Sequence, residues 1–148
     1  LGTSKSIADS SLLIETAYVL SEYSYSVIHI NNGLHGFHLS ESEYEEALMN
    51  YMQRLLSESG DTPVVWANST PVTVSGDKTT LDPTNNTIVL ARNKAADRVM
   101  QELGIPVNDL YDVVEDNSEI RMDDGYHYTV DGYELLAKAV YAVVERYL

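Results

Sequence analysis

Val27-Ile28-His29-Ile30-Asn31-Asn32-Gly33 is a β-branched run that stops in turn chemistry. Val and Ile are stiff at χ1 and fit a pleated strand, whereas Asn and Gly tolerate the backbone angles of a tight turn. Pro63-Val64-Val65-Trp66-Ala67 repeats the pattern and ends in Asn68-Ser69-Thr70-Pro71. A weaker third run, Ile105-Pro106-Val107, leads into Asn108-Asp109. These short, nearly continuous apolar runs suit strands covered on both faces, as in a parallel sheet.

Helical periodicity fills the intervals. Ser40 and Glu43 are spaced as a capping box, and Leu39 and Tyr44 as a hydrophobic staple. Tyr44, Ala47, Leu48, Tyr51, Met52, Leu55 and Leu56 then hold one apolar face, and Gly60 marks a stop. A second helix is expected from about Thr87 to Leu103, with Ile88, Ala91, Ala95, Val99 and Leu103 inward and Gly104 just past its end. A third starts at Thr129 as N-cap, with Tyr133, Leu136, Ala137, Val140, Val144 and Tyr147 on one stripe. Leu12 to Tyr23 is expected to be a further helix capped by Asp9 or Ser10. Strands alternating with helices imply right-handed βαβ crossovers and a three-layer α/β/α sandwich with a parallel sheet. Three strands are few for such a sheet, and the expectation is one domain over residues 1–148 that lacks its first strand.

Composition narrows the function classes. The 148 residues carry 23 Asp and Glu against 9 Lys and Arg, a net charge of −14. That balance argues against nucleic acid and anionic membranes as partners, because no basic patch offsets the repulsion. With 44% apolar and 22% charged residues the chain is globular in composition, not a disordered acidic tail. It has no cysteine, which excludes thiol catalysis and Cys-based metal sites. His35-x-x-His38 with His29 nearby gives no fixed ligand geometry, so no metal and no cofactor is expected.

In an open parallel sheet, chemistry collects at the carboxyl ends of the strands. Three polar segments qualify: Asn31 to His38, Asn68 to Thr73, and the loop ending in Asp123-Asp124-Gly125-Tyr126-His127. In the last, an Asp three residues ahead of a His can turn back and accept from Nδ1–H. This fixes the tautomer and leaves Nε2 as a general base. Asp124 and His127 have that spacing. Asn68 and Thr70 are placed on the substrate rim, and the polar stretch Thr73 to Pro83 is a candidate substrate rim or lid.

The composite Asp124-Gly125-Tyr126-His127-Tyr128-Thr129, followed by Gly132-Tyr133 and an amphipathic C-terminal helix, resembles the last block of the SGNH (GDSL-type) hydrolases. Val27 to Gly36 is similar to the strand and turn that carry that family's Gly-x-Asn-Asp block, and Val65 to Val72 to its next strand and loop. Leu1-Gly2-Thr3-Ser4 resembles the tail of its second block. The resemblance implies hydrolysis of an O-acyl ester, commonly on a carbohydrate, by a Ser nucleophile, a His base and an Asp that orients the His. It assigns the base to His127 and the orienting carboxylate to Asp124. Gly2 becomes the oxyanion glycine, and His35 stands at the oxyanion Asn position, ahead of Asn32, with Asn31 also in reach.

The chain departs from the family pattern at the nucleophile. No Gly-Asp-Ser occurs; Ser75-Gly76-Asp77 has the wrong order, and Gly2-Thr3-Ser4 lacks the Asp and the strand before it. The expectation is that the Ser lies upstream of Leu1 and that the chain does not run the reaction alone. The alternative is a non-catalytic carbohydrate-binding or interaction domain on the same scaffold.

Overall fold

The computed structural model describes residues 1–148. The elements run α1 (Ser10–Glu22), β1 (Ile28–Ile30), α2 (Glu41–Ser59), β2 (Val64–Ala67), β3 (Thr73–Val74), β4 (Asp77–Leu81), α3 (Asn85–Leu103), β5 (Val107–Asn108), α4 (Leu110–Val114) and α5 (Val130–Val144). Strands β1, β2 and β5 form one parallel sheet in the order β1-β2-β5. Ile28 pairs with Val64 and Ile30 with Trp66, and these four side chains share one face. They join the largest core cluster, where Leu12 of α1, Leu48 and Leu55 of α2, and Ala96 and Val99 of α3 also pack. The opposite face carries His29, Val65 and Asn108, and α5 covers it at β5. Helices on both faces of a parallel sheet make the expected α/β sandwich.

The helix termini follow local chemistry. Ser40 Oγ accepts from Glu43 N at 3.3 Å while Glu43 Oε2 accepts from Ser40 N at 2.8 Å, a complete capping box. Asp9 caps α1 through Ser11 N, and Thr129 caps α5 through Gly132 N. The third strand falls at Val107–Asn108, one to two residues later than the Ile105–Val107 run.

Three expectations need correction. Thr73 to Pro83 is not an open loop: β3 and β4 pair antiparallel about the two-residue turn Ser75-Gly76. The β-branched Thr73, Val74, Thr79 and Thr80 favour strand, and the short Ser-Gly connection closes the hairpin. Secondly, the buried face of α3 is Asn86, Val89, Arg92, Asn93, Ala95, Ala96, Val99 and Met100, so in its N-terminal half three polar residues point inward where Ile88 and Ala91 were expected. Thirdly, α5 buries only Gly132 fully: of its expected stripe Tyr133 and Ala137 are exposed, and Leu136, Val140, Val144 and Tyr147 are half-buried. No helix is long and apolar enough to cross a membrane.

Candidate active site

The loop between Arg121 and Tyr128 is closed on itself. These two residues form an antiparallel bridge, Met122 N donates to His127 O at 2.9 Å, and Thr129 N donates to Ile120 O at 2.8 Å. Within it, Asp124 Oδ1 accepts from both Tyr126 N and His127 N at 2.9 Å, while Oδ2 lies 2.6 Å from His127 Nδ1. One carboxylate therefore builds the turn with one oxygen and orients the imidazole with the other. The His127 N–H, then the Tyr126 N–H, then the imidazole hold the Asp124 carboxyl down at about 2. With Nδ1–H directed to Asp124, Nε2 is the basic nitrogen, on a side chain that is 65% exposed.

The β3–β4 hairpin buttresses this loop. Thr73 N donates to Gly125 O at 3.0 Å and Gly76 N to Asp123 O at 2.7 Å. Gly125 has φ +90°, and a Cβ there would meet Thr73 O at 2.5 Å, so both the turn and the hairpin contact require glycine. Buried Arg121 donates to Val114 O, Glu115 O and Lys78 O, tying the loop to α4 and β4.

The loop after β1 holds the other candidates. Asn32 is buried; its Nδ2 donates to Lys5 O at 2.9 Å and its carbonyl accepts from Tyr44 Oη at 3.1 Å, while its Oδ1 has no partner. This contact brings Asn32 beside the segment that contains Gly2. The His35 side chain is exposed, and its carbonyl accepts from Arg92. Asn31 turns toward β2, donating to Ala67 O and Ser69 Oγ. Asn68 is buried and donates to Asp97 Oδ1 at 3.2 Å, whereas Thr70 is half-buried. Gly2 is exposed, with open space around it.

Sequence reasoning missed the residues that hold these loops. Asn93 clamps Ser69 on both sides, accepting from its N–H and donating to its carbonyl, each at 2.9 Å. Asn86 accepts from Val72 N at 2.9 Å and donates to Tyr111 Oη at 3.0 Å. Arg92 donates to the carbonyls of Gly33, His35 and Gly36. Their signal in the sequence was position: Arg92 and Asn93 sit three and four residues from Val89 and Ala96, on the helical face that those apolar residues bury.

His29 is the remaining histidine on the sheet. Asn108 Nδ2 donates to its Nε2 at 3.1 Å, which places the proton on Nδ1, and burial pushes its pKa below the ordinary value.

No protein-family profile matches this sequence, and no curated protein matches it. Solved structures do. A carbohydrate acetylesterase from Sinorhizobium meliloti superposes with a TM-score of 0.74 at 12% identity, over 99% of this chain and 76% of that one. A lipase/acylhydrolase from Enterococcus faecalis gives 0.70 at 21% identity, over 97% and 72%. A GDSL-like lipase from Bacteroides thetaiotaomicron gives 0.69 at 16% identity, over 99% and 74%. The likeness establishes the fold: this chain is built as an SGNH (GDSL-type) hydrolase-like α/β sandwich.

Proposed function

We propose that this chain is the C-terminal part of a serine ester hydrolase of the SGNH type, acting on an O-acyl ester of a carbohydrate or similar small alcohol. The observation that carries the reading is the Asp124–His127 pair, held at 2.6 Å by a turn that Asp124 itself builds, in a loop directly before α5. The names of the structural neighbours support ester chemistry, and one of them supports a carbohydrate acetyl ester.

In this mechanism a Ser, contributed by sequence N-terminal to Leu1, attacks the acyl carbon while its proton passes to His127 Nε2. Asp124 stabilises the imidazolium that results. The carbonyl oxygen becomes an oxyanion, stabilised by the Gly2 N–H and by the side chain of Asn32 or His35. The second N–H of the Asn32 amide supports Asn32 in that role, since only one is spent on Lys5 O. Collapse of the intermediate breaks the C–O bond, and the His127 imidazolium returns its proton to the departing alkoxide. Water then repeats the sequence on the acyl-serine and releases the acid. Asn68 and Thr70 follow β2 on the same end of the sheet, and Thr70 is the one of the two with exposed surface for a substrate rim.

The test is expression of the complete coding sequence and assay of p-nitrophenyl acetate hydrolysis, with and without a serine-reactive phosphonate. Hydrolysis that the phosphonate abolishes, and that His127→Ala lowers by several orders of magnitude without loss of fold, is the expected outcome. The absence of Gly-Asp-Ser from these 148 residues favours one other reading, a carbohydrate-binding domain without catalysis. A complete protein that binds acetylated oligosaccharide and is not labelled by the phosphonate would establish that reading instead.

A further inference from the structure

The charge at Arg92 is spent in an unusual way. The side chain is 2% exposed in a protein with 23 acidic residues, yet its partners are backbone carbonyls and ring faces, with no carboxylate among them. Nη1 donates to Gly33 O at 3.0 Å and to His35 O at 2.8 Å, and Nη2 donates to Gly36 O at 2.5 Å. The guanidinium carbon lies 4.7 Å from the centre of the Tyr44 ring and 5.1 Å from that of Phe37. Burying a cation without a counter-ion is costly unless dipoles replace the water it loses, and here the carbonyls and the two aromatic faces supply them.

The three carbonyls all belong to the irregular turn that follows Asn32. Tyr44, whose ring faces the same guanidinium, donates its hydroxyl to Asn32 O. The backbone from Asn32 to Gly36 is therefore fixed from one side by one buried device. In a trans peptide the N–H of the next residue points opposite to the carbonyl. Carbonyls 33, 35 and 36 turned toward Arg92 thus direct the N–H groups of Leu34, Gly36 and Phe37 away from it. None of these three N–H groups has an acceptor within the chain.

We propose that Arg92 is a positioning residue of the oxyanion side of the site: its three-carbonyl clamp holds the Asn32–Gly36 turn, and with it the Asn32 and His35 donors, in the geometry the developing oxyanion needs. This rests on the esterase reading above. An Arg is required because only its rigid fork reaches several carbonyls while stacking on two rings; a Lys ammonium at this position is a single point donor on a flexible stem.

The experiment uses the complete protein with p-nitrophenyl acetate and compares Arg92→Lys with Arg98→Ala. Arg98 lies on the same helix and joins it to α2 through exposed pairs with Glu41 and Glu45. Arg92→Lys is expected to lower kcat about 10- to 100-fold with KM changed by less than about threefold, as for a reacting group displaced by about 1 Å. The acid-side midpoint of its pH–rate profile stays at the wild-type value, and Arg98→Ala keeps the wild-type kcat. If Arg92→Lys does not fold, Phe37→Leu removes one ring face and leaves all three hydrogen bonds; its kcat is expected to fall by about two- to fivefold at constant KM. Wild-type kcat in the variant measured, an effect on KM alone, or an equal loss in Arg98→Ala each overturn the role of Arg92. A wild-type protein that does not hydrolyse the ester, or that keeps its rate as His127→Ala, overturns the parent reading and the role of Arg92 together.

Discussion

Asp124 reaches His127 twice, with Oδ1 accepting the backbone N–H at 2.9 Å and Oδ2 lying 2.6 Å from the ring Nδ1. The residue that orients the imidazole also builds the turn that carries it, so its side chain cannot rotate without dissolving both contacts.

Replacing Asp124 with Asn separates the two duties. The amide oxygen can still accept from Tyr126 N and His127 N, while the charge and the acceptor facing Nδ1–H are lost. On the proposed esterase mechanism, kcat of the complete protein is expected to fall about 10^3- to 10^4-fold, the scale for losing the orienting carboxylate of a triad, with melting temperature little changed. A kcat within tenfold of wild type would remove Asp124 from the mechanism.

The same carboxyl has its pKa lowered from 3.8 to about 2 in the folded chain. Its contribution to stability is full above the unfolded value and is lost only as pH falls through the folded one. Rate loss on acidification at any pH above about 4 therefore belongs to another group, and a pH–rate profile of ester hydrolysis by the complete protein checks this directly.

His29 titrates in the opposite sense to a salt-bridged histidine. Burial holds its folded pKa below 6.5, so below that value the unfolded chain binds a proton that the folded chain refuses. Stability is full above about pH 6.5 and declines as pH drops toward the folded pKa. Urea midpoints at about pH 7.5 and about pH 5.5 should differ less in His29→Gln than in wild type. An unchanged difference would assign the acid sensitivity elsewhere.

Gly33 is held by contact. A Cβ there would overlap Ser69 Oγ and press on its Cβ at 3.1 Å. The Oγ can swing away only by giving up the bond from Asn31 Nδ2, and the Cβ stays in place because Asn93 grips the Ser69 N–H and carbonyl. Gly33→Ala should cost about 1–3 kcal/mol, the range for overpacking a rigid interior. The double variant Gly33→Ala/Ser69→Gly should recover most of the loss, giving a large coupling in a denaturation cycle. Additive losses would show that the two residues do not share the space.

Strand β1 pairs on one side only, with β2, and an apolar groove of ≈ 230 Å³ lies beside it, lined in part by Leu1, Leu12, Leu20, Ile28, Ile30 and Leu55. Unpaired strand edges with adjoining apolar surface promote association between chains. The Leu1–Leu148 chain made alone should therefore self-associate in a sedimentation concentration series. A sample that stays monomeric and melts cooperatively would contradict this.

Much of the architecture was legible because it is decided locally. Runs of Val and Ile resolve into strands and Ser40, Thr129 and Gly104 into helix ends, since steric preference and capping act over a few residues. Asp124 and His127 were legible for the same reason: three residues of separation are enough to close their turn. The β3–β4 hairpin was hidden because its residues are mostly polar and its strands short, so its pairing shows only against the 123–125 loop.

Local chemistry thus set the order of strands and helices, the caps and the Asp124–His127 contact. Tertiary packing alone decided that Asn86, Arg92 and Asn93 face inward, that Asn32 rests against Lys5 while Asn68 turns to Asp97, and that Gly33 must remain without a side chain. Each of those outcomes depends on partners tens of residues away. A polar side chain is drawn into the interior where a distant backbone or side-chain group needs a partner, and no short stretch of sequence records where that group will lie.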